Sequence, residues 1–199
     1  MKNKILIRFL SVVLVSAVAL PFLPVRGEGA VYEKVIRLHV LANSDSEEDQ
    51  ALKLLVRDGV LEYVGELTKG VLNVDQAREV ISSSLDGIGN AAERVILENG
   101  RNDKVTVRFG MEDYPEREYD GVHLPAGEYC SLRVCIGEAE GHNWWCVLFP
   151  PLCLSASKPK EVLVKAGFSP DQVRVLTETE NPKYVMRFRI LELVKELFG

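Results

Sequence analysis

The stretch Val35–Asp58, VIRLHVLANSDSEEDQALKLLVRD, constrains the fold more than any other part of the chain. It runs from a strand pattern through a polar turn into a long amphipathic helix without interruption. Side chains alternate along a strand, so Ile36, Leu38 and Val40 share one face while Val35, Arg37, His39 and Leu41 share the other. One face is wholly apolar and the other is mixed. Asn43, Ser44, Asp45 and Ser46 then supply turn and helix-start chemistry. Ser44 with Glu47, or Ser46 with Asp49, fits a cap in which a hydroxyl satisfies an orphan amide.

Helical spacing continues over Glu47–Thr68, with an apolar stripe of Leu52, Leu55, Val56, Val60, Tyr63, Val64 and Leu67. A second helix starts at Asn73 and stops at Asn99-Gly100. Its stripe is Ala77, Val80, Ile81, Leu85, Ile88, Ala92, Val95 and Ile96. Gly87 and Gly89 weaken its middle, each by about 1 kcal/mol relative to Ala, and point to a bend or a close helix contact. The pattern then turns strand-like at Lys104–Gly110, Tyr119–Leu124, Glu128–Ile136 and Trp144–Phe149, with Pro150-Pro151 as a stop. Short connections between successive strands favour antiparallel pairing. Ser155–Asp171 reads as loop with a short helix near Lys160–Ala166, Val173–Thr177 as a short extension, and Asn181-Pro182 as the start of a last helix. The expected class is α+β: an antiparallel-rich sheet packed with two long helices and a C-terminal helix, the first strand joining the sheet from far away in sequence.

A chain of 199 residues, 47% hydrophobic and 27% charged, is sized for one core. Its formal charge of −5 argues against nonspecific nucleic-acid binding, which rests on phosphate neutralisation, and leaves room for a localised basic patch. Lys2, Lys4 and Arg8 precede an apolar run of 12 residues, Phe9–Leu20, which is short against the roughly 20 that a membrane span needs. Residues 1–27 therefore read as a signal peptide or, if uncleaved, an N-terminal membrane anchor, and residues 28–199 as a single domain. Removing 1–27 takes four of the 24 basic residues and no acid, leaving 20 against 29 and a charge of −9. Such a domain is repelled by anionic lipid, so membrane contact falls to the leader.

Arg37, His39 and Asn43 are candidate site residues, on the mixed strand face or just past it. With Ser44 and Ser46 better explained as caps, no G-x-S-x-G or H-E-x-x-H accompanies them. The bland reading is that His39 donates to a backbone carbonyl and Arg37 pairs with a helix acid; a partner-binding role is the sharper one. His123 and His142 lie at turns and read as solvated. The acids Glu112, Asp113, Glu116, Glu118 and Asp120 lack calcium-loop spacing and read as a charged loop. Trp144 and Trp145, adjacent on a strand, face opposite sides, so one enters a core and the other needs a second cover, a partner or the membrane interface. The four cysteines, Cys130, Cys135, Cys146 and Cys153, lack zinc-site spacing. Cys130 and Cys135 face apart on one strand. Cys146 and Cys153 flank Pro150-Pro151 and are a candidate disulfide; four buried free thiols is the alternative. No cofactor or metal is expected.

The first stretch resembles the start of the mature domain of the stage II sporulation protein R family, with its run I-R-L-H-V-x-A-N-S-x-x-x-x-D-Q-x-L-K-x-x-V-R-D. The matching residues are Ile36 to Val40, Ala42 to Ser44, Asp49, Gln50, Leu52, Lys53 and Val56 to Asp58. Pro125 to Tyr129 and Asn143 to Cys153 resemble its second signature block, with Cys130 a departure just after the PAGEY run. The resemblance implies a protein without catalytic residues, made in the forespore of an endospore former and exported into the space between the two sporulation membranes. There it would trigger the membrane-embedded aspartic peptidase that converts pro-sigma-E to sigma-E in the mother cell. An exported hydrolase using His39 is the alternative carried forward.

Overall fold

The computed structural model describes residues 31–153 and 159–177. The leader at 1–27 and the helix expected from Asn181 lie outside the described residues. In chain order the elements are β1 (Ile36–Leu41), α1 (Glu47–Leu67), α2 (Val74–Ser82), α3 (Leu85–Glu98), β2 (Val105–Tyr114), β3 (Arg117–Tyr119), β4 (Val122–Leu124), β5 (Gly127–Ile136), β6 (Asn143–Phe149), α4 (Pro159–Lys165) and α5 (Pro170–Thr177). Among these helices none is long and apolar enough to cross a membrane.

The class is α+β, and the sheet order is β2-β5-β1-β6. β1 lies inside the sheet, parallel to β5 and antiparallel to β6, while β2 and β5 pair antiparallel. The six-residue turn between β5 and β6 therefore does not join neighbours: β1 occupies the place between them. The short helices α4 and α5 follow the sheet in sequence. Val173–Thr177, expected as an extension, is the second half of α5.

Ser46 caps α1, its hydroxyl accepting from Asp49 N at 3.1 Å, which decides between the two caps. Glu47, Glu48 and Asp49 in the first turn favour the positive end of the helix dipole. The buried stripe is Leu52, Val56, Val60, Leu61 and Val64; Leu55 of the expected stripe is exposed. The single second helix of the sequence reading is two helices. The break falls at Ser83-Ser84, not at the glycines, where the Ser82 and Ser83 hydroxyls bond back to Glu79 O and Val80 O and compete with the helix ladder. Gly87 serves the close contact instead: a Cβ there would stand 2.2 Å from the Tyr63 hydroxyl of α1. α3 ends as expected, with Gly100 at φ +72°.

Tyr119–Leu124 is a hairpin rather than one strand. Asp120 and Gly121 take positive φ, 46° and 78°, the backbone of a two-residue turn between β3 and β4. Two cores result. Ile36, Leu38, Val40, Leu132 and Val134 meet α1, α2 and α3 on one sheet face. On the other, Val35, Tyr114, Tyr129 and Val147 meet the hairpin, α4 and α5 through Val122, Leu124, Leu163, Phe168 and Leu176.

Candidate functional site

The mixed face of β1 continues across the whole sheet. Register places Arg108 of β2 opposite Arg133 of β5, Arg133 beside His39 of β1, and His39 opposite Trp145 of β6. Strand partners share a face, so these four side chains form one row. Glu112 reaches this row from lower on β2: its Oε1 accepts from His39 Nδ1 at 2.7 Å and lies 3.5 Å from Arg133 Nη1. Its Oε2 accepts from the Ser131 hydroxyl at 2.8 Å. With its own hydrogen directed to Glu112, the Ser131 hydroxyl accepts from the Tyr114 hydroxyl at 2.7 Å. His39 Nε2 faces Asn143 Oδ1 at 2.7 Å. Both ring nitrogens of His39 are thus committed, and the ring is buried.

Arg37 lies one strand position pair below and is fully buried. No acid meets it. Its Nη2 donates to the Tyr119 hydroxyl at 2.7 Å and its Nε to Cys146 O at 3.3 Å. The guanidinium is boxed by the rings of Tyr114, Tyr129 and Tyr119 at 4.2, 4.8 and 5.3 Å. Such cation–π contacts take the place of a counter-ion. Nη1 is buried and, among the described residues, has no hydrogen-bond partner. Burial pushes the Tyr114 and Tyr129 phenols up, with the Arg37 charge opposing it. The expectation of an Arg37–helix acid pair is therefore corrected among the described residues: the sheet neighbours of β1 and the hairpin bring tyrosines over it.

Asn43 stands apart from this row, past the end of β1. Its Nδ2 donates to Asp49 Oδ2 at 2.9 Å, and its Oδ1 accepts from Glu138 N at 3.0 Å. Ser44 and Arg101 complete the shell of Asp49, at 2.6 and 2.8 Å. Hydrogen bonds from Ser44, Asn43 and Arg101 hold the Asp49 carboxyl down to about 2. Lys53, also buried, donates to His142 O at 2.8 Å, and burial lowers its pKa. His142 itself pairs with Asp45, so it is not merely solvated. The charged half of the first sequence block is a clamp that ties α1 to the β5–β6 turn.

The two tryptophans do face opposite sides. Trp145 lies on the His39 face with Arg117 over its ring at 4.5 Å. Trp144, 37% exposed, carries Arg57 of α1 over its ring at 4.4 Å. Leu54, one helical turn before Arg57, is exposed beside that pair. Cys146 and Cys153 are brought together, Cα atoms 6.3 Å apart, within the 4.4–6.8 Å typical of a bridge. Cys130 and Cys135 are free.

Chemically, the row is a charge and hydrogen-bond network rather than a nucleophile and its base. Ser131 meets Glu112, not His39, so the acid sits where a catalytic histidine would have to be. Among the described residues no cluster has the makings of a metal site. Reading the sequence alone missed Glu112, Ser131, Arg133 and the tyrosines. The signal was the alternation Gly110, Glu112, Tyr114, which continues β2 four residues past its expected end; the surrounding acids disguised it as loop.

The family model described as Stage II sporulation protein R matches residues 32–158. Stage II sporulation protein R of Bacillus subtilis (strain 168) is 40% identical over 121 residues, which cover 61% of this chain and 54% of that protein. The match thus spans about half the length of the relative. No solved structure matches.

Proposed function

The chain belongs to the stage II sporulation protein R family, and from that premise we propose that it is an exported signalling ligand, not an enzyme. Exported by its leader from the forespore into the space between the sporulation membranes, cleaved or still tethered, it activates the membrane-embedded aspartic peptidase that converts pro-sigma-E to sigma-E in the mother cell. The observation that carries this reading is the family match, which runs through both sequence blocks. No cofactor or metal has a part in it.

Activation proceeds by differential binding: the ligand prefers the active arrangement of the peptidase and shifts its population. Taking that equilibrium from 1:99 to 99:1 requires a preference of about 5.5 kcal/mol. Of the five candidate contact residues, Trp144 and Trp145 reach the surface, each under an arginine, and aromatic and Arg side chains are the usual anchors of an interface. Arg37, His39 and Asn43 act from beneath, by holding the sheet and the clamp.

The test replaces Trp144 by Ala in the full-length chain and follows sigma-E-dependent transcription in sporulating cells beside the unfolding midpoint of the purified protein. A large loss of signal at near-parental stability is the expected result. Full signalling by Trp144→Ala removes this residue from the contact, and pro-sigma-E processing that proceeds without the protein sinks the reading itself.

A further inference from the structure

The row Arg108–Arg133–His39–Trp145 holds more positive charge than the described residues neutralise. Arg108 and Arg133 stand directly opposite each other on antiparallel strands, a like-charge placement that destabilises a sheet unless an anion lies between. Arg108 is exposed and, among the described residues, has no ion-pair partner. Among the described residues Arg133 has one contact to an acid, Glu112 at 3.5 Å, beyond hydrogen-bond length, and its buried Nε has no hydrogen-bond partner there. The single negative charge of Glu112 is shared with His39 and Ser131, which its two oxygens also serve. Next to Arg108 on the same face of β2 comes Gly110, and a Cβ built there would meet nothing within 4 Å, so the approach between the strands is clear. No positive φ accounts for that glycine, and a strand glycine often marks a close approach by another chain.

We propose that Arg108 and Arg133 form a receptor notch for the carboxylate of an acidic side chain presented by a protein partner. Guanidinium forks recognise planar carboxylates with paired hydrogen bonds, and two facing forks span one such group. Phosphate would suit the same forks. The source favoured here is a protein, because a chain of net charge −5 is repelled by polyanionic surfaces and only a local contact between opposite charges survives that field. The notch rests on the ligand reading above only in taking the partner to be a protein. It names the chemistry of one part of that contact: an Asp or Glu that enters over β2, the edge strand of the sheet.

The experiment uses the full-length chain and follows the Nε–H resonances of its arginines by nuclear magnetic resonance. The probes are a blocked tetra-glutamate peptide, a blocked tetra-glutamine peptide, inorganic phosphate and phosphatidylglycerol vesicles. The glutamate peptide is expected to shift the Arg108 and Arg133 signals and the glutamine peptide to leave them in place. Arg108→Gln, an exposed change, should weaken the glutamate peptide about tenfold, the loss of one charge-assisted contact. Arg133→Lys, which keeps the charge and removes the fork, should weaken it as well. The proposal is overturned by no shift, by a shift that Arg108→Gln leaves undiminished, or by tighter binding of phosphate or vesicles than of the peptide. No peptidase is present in the assay, so failure here leaves the signalling reading standing.

Discussion

Arg37 carries the sharpest test of how this sheet is held together. It is fully buried, charged and, among the described residues, without an acid, and its replacement separates the effect of charge from the effect of volume. Hydrogen bonds to a charged donor contribute about 1.5–3 kcal/mol each. The one to Tyr119 at 2.7 Å belongs high in that range and the one to Cys146 O at 3.3 Å low. Ring contacts with Tyr114, Tyr129 and Tyr119 add about 2 kcal/mol. Against them stands a desolvation penalty of several kcal/mol for a buried ion, part of it unmet at Nη1. The polar terms nearly cancel, which leaves the space the side chain fills. Emptying a large buried site costs about 3–5 kcal/mol. Arg37→Ala should therefore lose about 3–5 kcal/mol of unfolding free energy, and Arg37→Met, which restores most of the volume, only about 1 kcal/mol. Urea unfolding followed by tryptophan fluorescence measures both, and signalling should fall with the folded fraction. If the Met variant is as unstable as the Ala variant, the cation stabilises the fold outright and the cancellation argued here is wrong. If the Ala variant unfolds like the parent yet signals poorly, Arg37 touches the partner and its burial in the cage is not what matters.

Two further outcomes are expected. The Asp49 carboxyl is depressed from 3.8 to about 2, so it contributes about 2 kcal/mol that is fully present above pH 4 and is lost as pH falls through 2. Asp49→Asn should remove that acid limb from the stability profile; an unchanged limb would show that the clamp carries no linkage. A bridge between Cys146 and Cys153 closes a short loop and should add about 2–3 kcal/mol by the loop-entropy relation. Thiol counting on the denatured protein, purified without reductant, should find two free thiols, from Cys130 and Cys135, and a cross-linked Cys146–Cys153 peptide; four free thiols would rule the bridge out.

Much of the local structure is legible from the sequence because it depends on neighbours along the chain. The β1–α1 passage, the Asn73 start of α2 and the Gly100 stop of α3 are each settled within a few residues by hydrogen bonding and backbone sterics, while the choice of Ser46 over Ser44 as the cap of α1 came from the structure. The apolar face of β1 follows from alternation alone, and so does the opposed orientation of Trp144 and Trp145. What surrounds the other face of β1 does not follow. Its neighbours come from β5, β6 and the β3–β4 hairpin, about 80 to 110 residues away, and pairing over such distances leaves no periodic trace in either strand. Glu112 looked like part of a solvated acidic loop because nothing near it in sequence needs a carboxylate. Only the register of β2 with β5 brings it to His39, Ser131 and Arg133. Likewise Arg37 and His39 are polar by sequence and buried by tertiary structure. Their burial is tolerable because three tyrosines, one acid and one amide converge on them from distant strands, and that convergence is a property of the folded sheet alone.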